Sequence, residues 1–179
     1  NAAKFVPLTV GLVLALEGVD EWIWVDDGST DDTYSLLREL TAGRAGVRVL
    51  QHTQNRGRAA ARNTAISAAN GDLIAFLDAD ASPREGYIEA HQATLRHSSA
   101  CASVGRVVPA DPVAGDPYST YLRVHPRGPG PAQGATSWKH FLSGVAVMRA
   151  DVLKQAGGFR SDIGYGEDSE LGCRLAATH

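Results

Sequence analysis

Asp78 and Asp80 are separated by one alanine and follow the apolar run 73–77. On an extended strand, residues i and i+2 point to the same side, so both carboxylates can face one site. Two like charges about 4 Å apart repel by on the order of 4 kcal/mol at an effective dielectric of 20. A divalent cation removes that repulsion. Magnesium or manganese is held this way, by one or two carboxylates together with phosphate oxygens. The stretch Asp-Ala-Asp-Ala-Ser-Pro is equally good turn and helix-cap chemistry.

Three further groups belong beside this one. Asp26 and Asp27 close the apolar run 22–25 and precede Gly28 and Ser29. A strand-to-helix turn accounts for the glycine and the serine but not for two acids. A carboxylate there can accept hydrogen bonds from a ribose hydroxyl or a base N–H, as the acidic residue of dinucleotide folds does. No GxGxxG is present, which disfavours a dinucleotide cofactor. Arg58 and Arg62 lie one helical turn apart, so they share a face. Their guanidinium forks suit a diphosphate or a base edge, and a solvated basic face fits the same spacing. Glu167 and Asp168 open the last helical pattern, where acids complement the helix dipole without any further role. The glycines at 157, 158, 164 and 166 just before them, with Phe159 and Tyr165 between, suggest a shaped loop that aims this turn.

The elements that must position these groups can be read from periodicity. Asn1 is placed to cap a helix with Phe5, Leu8, Leu12 and Leu16 on its buried face. Strands are expected at 22–25, 47–50, 73–77, 101–108 and 143–148. Helices are expected after Ser29 or Thr30 (buried through Leu36, Leu37 and Leu40), at 57–69, from Pro83 to about 97, from Asp151, and at 167–177. Alternating strands and helices with continuous apolar strands imply a parallel sheet covered on both faces. Ligands of such sheets sit beyond the carboxyl ends of the strands. Both acidic clusters fall there, so they should share one rim. Residues 109–136 hold six of the eight prolines and form a long Pro- and Gly-rich loop. Trp138 and His140 flank it and could line a second ligand, although core packing suits Trp138 as well.

Composition narrows the class. With 44% apolar and 21% charged residues the chain reads as one soluble globular domain. A net charge of −3 weighs against a nucleic-acid partner. Two cysteines and six histidines show neither a disulfide framework nor ligand spacing, which points to a reducing compartment. No run of 18 apolar residues exists, and residues 5–16 lack a basic leader and a cleavage site. Both ends read as cut, so the sequence is expected to be part of something longer.

Taken in order, "VDDGSTDDT" (25–33), "NRGRAAARNTAISAANGDLIAFLDAD" (55–80) and "GGFRSDIGYGEDSELGCRL" (157–175) resemble the inverting family-2 glycosyltransferases of the GT-A fold. The combination covers nearly the whole chain and is specific where each piece alone is not. The resemblance implies an α/β, Rossmann-like, mostly parallel sheet with helices on both faces, in a single catalytic domain. That family opens with a strand ending in a Pro-x-Tyr-Asn type turn, and this first strand is missing here. No QxxRW-type element occurs, which leaves chain polymerisation undecided.

The implied activity is metal-dependent transfer of a sugar from a nucleotide-diphosphate donor to an acceptor hydroxyl, with inversion, of the kind that builds cell-envelope polysaccharide. By the resemblance, Asp26, Asp27, Arg62 and Asp78 bind the donor nucleotide. Asp80, with Asp78, holds manganese or magnesium. Asp168 is the catalytic base, with Glu167 second. The acceptor is expected to be a saccharide, a lipid-linked group or another hydroxyl compound. A cytoplasmic location, or one at the inner face of the membrane through regions outside this sequence, is implied. A retaining GT-A transferase, a sugar nucleotidyltransferase and a non-catalytic nucleotide-sugar-binding domain remain the alternatives.

Overall fold

The computed structural model describes residues 1–109, 121, 127, 128, 134 and 137–178. The loop expected at 109–136 therefore lies, apart from five residues, outside the described residues. Among the described residues there are six α-helices and five strands, in the order α1 (Val6–Leu14), β1 (Trp22–Asp26), α2 (Thr33–Leu40), β2 (Val47–Gln51), α3 (Arg58–Ala68), β3 (Leu73–Ala75), α4 (Tyr87–Arg96), β4 (Ala102–Val104), β5 (Ala146–Arg149), α5 (Ala150–Gln155) and α6 (Glu167–Thr178). Two single 3-10 turns, Trp138–His140 and Ser143–Val145, precede β5. None of the described helices is long and apolar enough to cross a membrane.

The strands pair in two groups. β1 and β2 are parallel, with Trp24 opposite Val49. β5 lies between β3 and β4 and runs antiparallel to both. The α/β class stands, and the parallel arrangement belongs to the β1–β2 part. β5 thus enters its sheet from the opposite direction to β3 and β4.

Helices cover both faces of β1–β2. Val6 and Val10 of α1 and Leu37 of α2 form a small core with Trp24 and Val49. Arg48 points the other way, where its guanidinium donates to the Ala68 carbonyl at 2.6 Å, at the end of α3. Ala59 and Ile66 of α3 join the main core with Ile74, Phe76, Met148 and Leu171. Helix α6 packs against the 3-10 turn at Trp138–His140, whose tryptophan is 38% exposed and so only partly core.

Several expected boundaries move. Helix α1 starts at Val6, and Asn1 does not cap it; the Asn1 side chain instead accepts the Thr30 N–H at 2.8 Å. Its buried face is Val6, Thr9 and Val10, while Leu8 and Leu12 are 69% and 49% exposed. Helix α2 starts at Thr33, later than a cap at Ser29 or Thr30 would give, and Leu40 is exposed. There the Asp31 carboxylate accepts the Thr33 N–H at 3.1 Å and satisfies an orphan donor of the first turn. Helix α4 begins at Tyr87 rather than at Pro83. Strand β4 spans only Ala102–Val104, and residues 143–145, expected in a strand, form a 3-10 turn.

Candidate active site

Strand β1 delivers Asp26 as its last residue, 2% exposed. Its Oδ2 accepts the Ser29 N–H at 3.3 Å and the Gln51 side-chain amide at 3.2 Å. Its Oδ1 is buried with no hydrogen-bond partner among the described residues. Such an acceptor costs free energy unless something donates to it. A cavity of about 230 Å³ opens there, lined also by Thr9, Asp27, Asn55 and Ala79. Ala79 lies between Asp78 and Asp80, so the β1 acids and the Asp-Ala-Asp turn border one space, as expected for a shared rim.

Asp27 is fully engaged. Its Oδ1 accepts from His52 Nδ1 at 2.6 Å and from the Arg56 N–H at 2.9 Å, and its Oδ2 accepts the Gly57 N–H at 2.8 Å. His52 Nε2 meets the Thr64 hydroxyl of α3 at 2.9 Å. The carboxylate needs a donor, which puts the proton on Nδ1 and leaves Nε2 to accept. Burial opposes ionisation of Asp27, but the bonds from His52, Arg56 and Gly57 outweigh it and hold the group below the usual aspartate value. Asp27 thus fastens the loop before α3. The turn after the acids packs tightly: Gly28 has φ +67°, and a Cβ there would lie 2.4 Å from the Gln54 carbonyl carbon.

Asp78 and Asp80 are not on one strand. β3 stops at Ala75, although its bonding to the β5 side continues through the Phe76 N–H to the Ala146 carbonyl (2.8 Å) and the Asp78 N–H to the Gly144 carbonyl (3.0 Å). Residues 79 and 80 then turn away, closed by the Ala81 N–H on the Asp78 carbonyl at 2.9 Å. The shared-face argument for a strand therefore fails, and the turn reading of this stretch holds. Both side chains are exposed. Asp80 makes no hydrogen bond or ion pair with the described residues.

Arg62 joins the remaining groups. It is 14% exposed and stands over the Phe159 ring, 5.4 Å from its centroid. Its NH2 donates to Asp78 Oδ1 at 3.1 Å, and its NH1 to Glu167 Oε1 at 3.0 Å and Asp168 Oδ1 at 3.2 Å. Arg58, one turn earlier, places its Nε 2.5 Å from the same Glu167 oxygen. Glu167 is therefore buried and clamped by two arginines, whereas the Asp168 side chain is 25% exposed. The loop before α6 is tied to α3 by Asn63, whose side chain donates to the Phe159 carbonyl at 2.7 Å and accepts the Phe159 N–H at 2.8 Å.

Sequence reasoning missed Asn63, His52 and Ser143. Ser143 is fully buried, and its hydroxyl donates to Asp168 Oδ1 at 2.5 Å. The only signal was the polar Ser143-Gly144 pair at the head of an apolar run.

An α/β domain in which Asp26, Asp27 and the Asp-Ala-Asp turn border one cavity, with Arg62 tying that turn to Asp168, is the class that fold and site define. The family model described as Glycosyl transferase family 2 matches residues 1–157, and the chain belongs to that family. It is 31% identical over 170 residues to the pre-mycofactocin glycosyltransferase of Mycobacterium tuberculosis, covering 92% of this chain and 35% of that protein. S. aureus TarS, residues 1–349, superposes with a TM-score of 0.72 at 19% identity over 98% of this chain and 52% of that one. The mannosyltransferase PcManGT from Pyrobaculum calidifontis, solved with GDP-Man and Mn2+, does so with a TM-score of 0.67 at 24% identity, over 98% and 49%. At these identities the solved structures bear on the fold, which is theirs. The chain spans about a third of the mycobacterial relative and about half of the two solved chains.

Proposed function

We propose that this chain carries the donor site and the catalytic base of a transferase. It moves a sugar from a nucleotide-diphosphate donor to an acceptor hydroxyl with inversion at the anomeric carbon. The observation that carries the reading is the Arg62 junction: one guanidinium touches both the Asp78 turn and Asp168. That contact brings a diphosphate-binding acid and a base within reach of one sugar.

Asp26 supports the nucleotide end. Asp26 lines the cavity, and its Oδ1, without a partner among the described residues, suits an N–H donor on a base. Asp27 acts at one remove, by holding the 52–57 loop. The donor set also fits a hard cation: Asp80 is exposed and uncommitted, and Asp78 is 57% exposed beside it. Bound there with a diphosphate, magnesium or manganese would offset the charge developing on the leaving group. PcManGT, similar to this chain in fold, was solved with Mn2+ and GDP-Man, in keeping with such a donor.

Asp168 takes the acceptor proton. The acceptor oxygen attacks the anomeric carbon opposite the diphosphate, its proton passes to the Asp168 carboxylate, and the bond from the anomeric carbon to the diphosphate oxygen breaks. Glu167 is the poorer base, since both arginines hold it and it is 2% exposed. The acceptor is a saccharide, a lipid-linked group or another hydroxyl compound, without nucleic acid.

A thermal-shift panel of UDP- and GDP-sugars with and without manganese identifies the donor. Assay with that donor should release nucleoside diphosphate and give a product of inverted anomeric configuration by NMR. Pyrophosphate release would replace this reading with a nucleotidyltransferase.

A further inference from the structure

We propose that Ser143 is a positioning residue for Asp168, and that the step from Ser143 to Gly144 sets the spacing between the base and the Asp78 turn. The role of Ser143 rests on the proposed function above.

Ser143 has no exposure, and both of its donors serve one carboxylate. The hydroxyl meets Asp168 Oδ1 at 2.5 Å, and the backbone N–H meets Oδ2 at 3.3 Å. A carboxylate gripped through both oxygens cannot rotate about its own axis. Oδ1 also accepts from Arg62 at 3.2 Å, whereas among the described residues Oδ2 has only the longer backbone contact. Oδ2 is thus the less committed oxygen and the one free to take a proton. Among the described residues the serine hydroxyl has no other hydrogen-bond partner.

The next residue fixes the other acid. The Gly144 carbonyl accepts the Asp78 N–H at 3.0 Å, and a Cβ on Gly144 would lie 2.1 Å from Asp78 Oδ2. The Asp78 carboxylate packs directly on the glycine backbone, where no side chain fits. Consecutive residues therefore touch the base and the diphosphate-side acid. Residues 143–145 are buried and lead straight into β5, the central strand of its sheet, so neither contact can drift independently.

The test combines Ser143→Ala, Asp168→Asn, their double variant and Gly144→Ala. Affinity is read by calorimetry with UDP and GDP in the presence of manganese. Turnover is read as nucleoside diphosphate release from the donor found in the panel. Ser143→Ala should lower turnover about 10- to 100-fold, the cost of a misplaced reacting group, and leave nucleotide affinity within about twofold. In the Asp168→Asn background it should cost nothing more. Gly144→Ala should act the other way, weakening nucleotide binding through Asp78. Unchanged turnover in Ser143→Ala, an equal loss in both backgrounds, or a loss of nucleotide affinity in Ser143→Ala that matches its loss of turnover overturns the role of Ser143. Unweakened nucleotide binding in Gly144→Ala overturns the spacing. Wild-type turnover in Asp168→Asn overturns the base assignment itself, and the positioning role with it.

Discussion

Arg62 donates to Asp78 Oδ1 at 3.1 Å from one terminal nitrogen and to Asp168 Oδ1 at 3.2 Å from the other. A planar fork spans two acids that are 90 residues apart, a geometry no lysine reproduces. Arg62→Ala should destabilise the protein by about 3 kcal/mol, the usual cost of removing one partner from a buried ion pair. Glu167 keeps Arg58, which limits the loss. Arg62→Lys should restore part of the melting temperature but little of the turnover. Denaturant melts and steady-state rates on the same three proteins check this, and equal turnover in the lysine variant would contradict it.

Asp27 ties acid stability to one carboxylate. Its folded value lies below that of the unfolded chain, because His52, Arg56 and Gly57 donate to the ionised form against the cost of burial. The sign follows: its contribution is complete above the unfolded value of about 3.9 and is lost as pH falls through the lower folded value. Wild type should therefore lose more melting temperature between pH 5 and 3 than Asp27→Asn. Parallel curves for the two proteins would remove Asp27 from this role.

Asp26 should separate stability from binding. Its Oδ1 is buried without a donor among the described residues, so the charge is a burden on the empty protein. Asp26→Asn should leave the melting temperature unchanged or higher while weakening UDP or GDP binding about tenfold, the scale of one hydrogen bond to a charged group. Loss of stability together with retained nucleotide affinity would mean that Oδ1 serves the fold and not a base.

Local chemistry was legible in the sequence where a charge ends an apolar run. Asp26 and Asp78 announced themselves in that way, and both border the site. What could not be read was partnership across the chain. Arg62 and Glu167 are 105 positions apart, so nothing local in the sequence announces their ion pair. Helix α1 defeated the choice of face because it is apolar all round, leaving no period to follow, and Leu8 and Leu12 came out exposed. Ser143 was hidden by β propensity: an apolar run reads as strand from its first residue, although here it begins with a 3-10 turn. The direction of β5 was equally invisible, since an apolar strand looks the same whichever way it enters a sheet.

Asp78 and Asp80 should part company under substitution. Asp80 makes no hydrogen bond or ion pair with the described residues and is exposed, so Asp80→Ala should leave the melting temperature of the free protein within the range of ordinary surface changes, about 0.5 kcal/mol. It should abolish the part of nucleotide binding that depends on manganese, because the cation loses its uncommitted carboxylate. Asp78 is tied to Arg62 and its backbone to Gly144. Asp78→Ala should therefore lower both the melting temperature of the free protein and the affinity for nucleotide, and it should leave Arg62 freer to bind Asp168. Titrations of UDP and GDP with manganese, magnesium or chelator, run beside melts of the free proteins, distinguish the two acids. Manganese dependence that survives in Asp80→Ala but not in Asp78→Ala would move the cation site onto Asp78 alone.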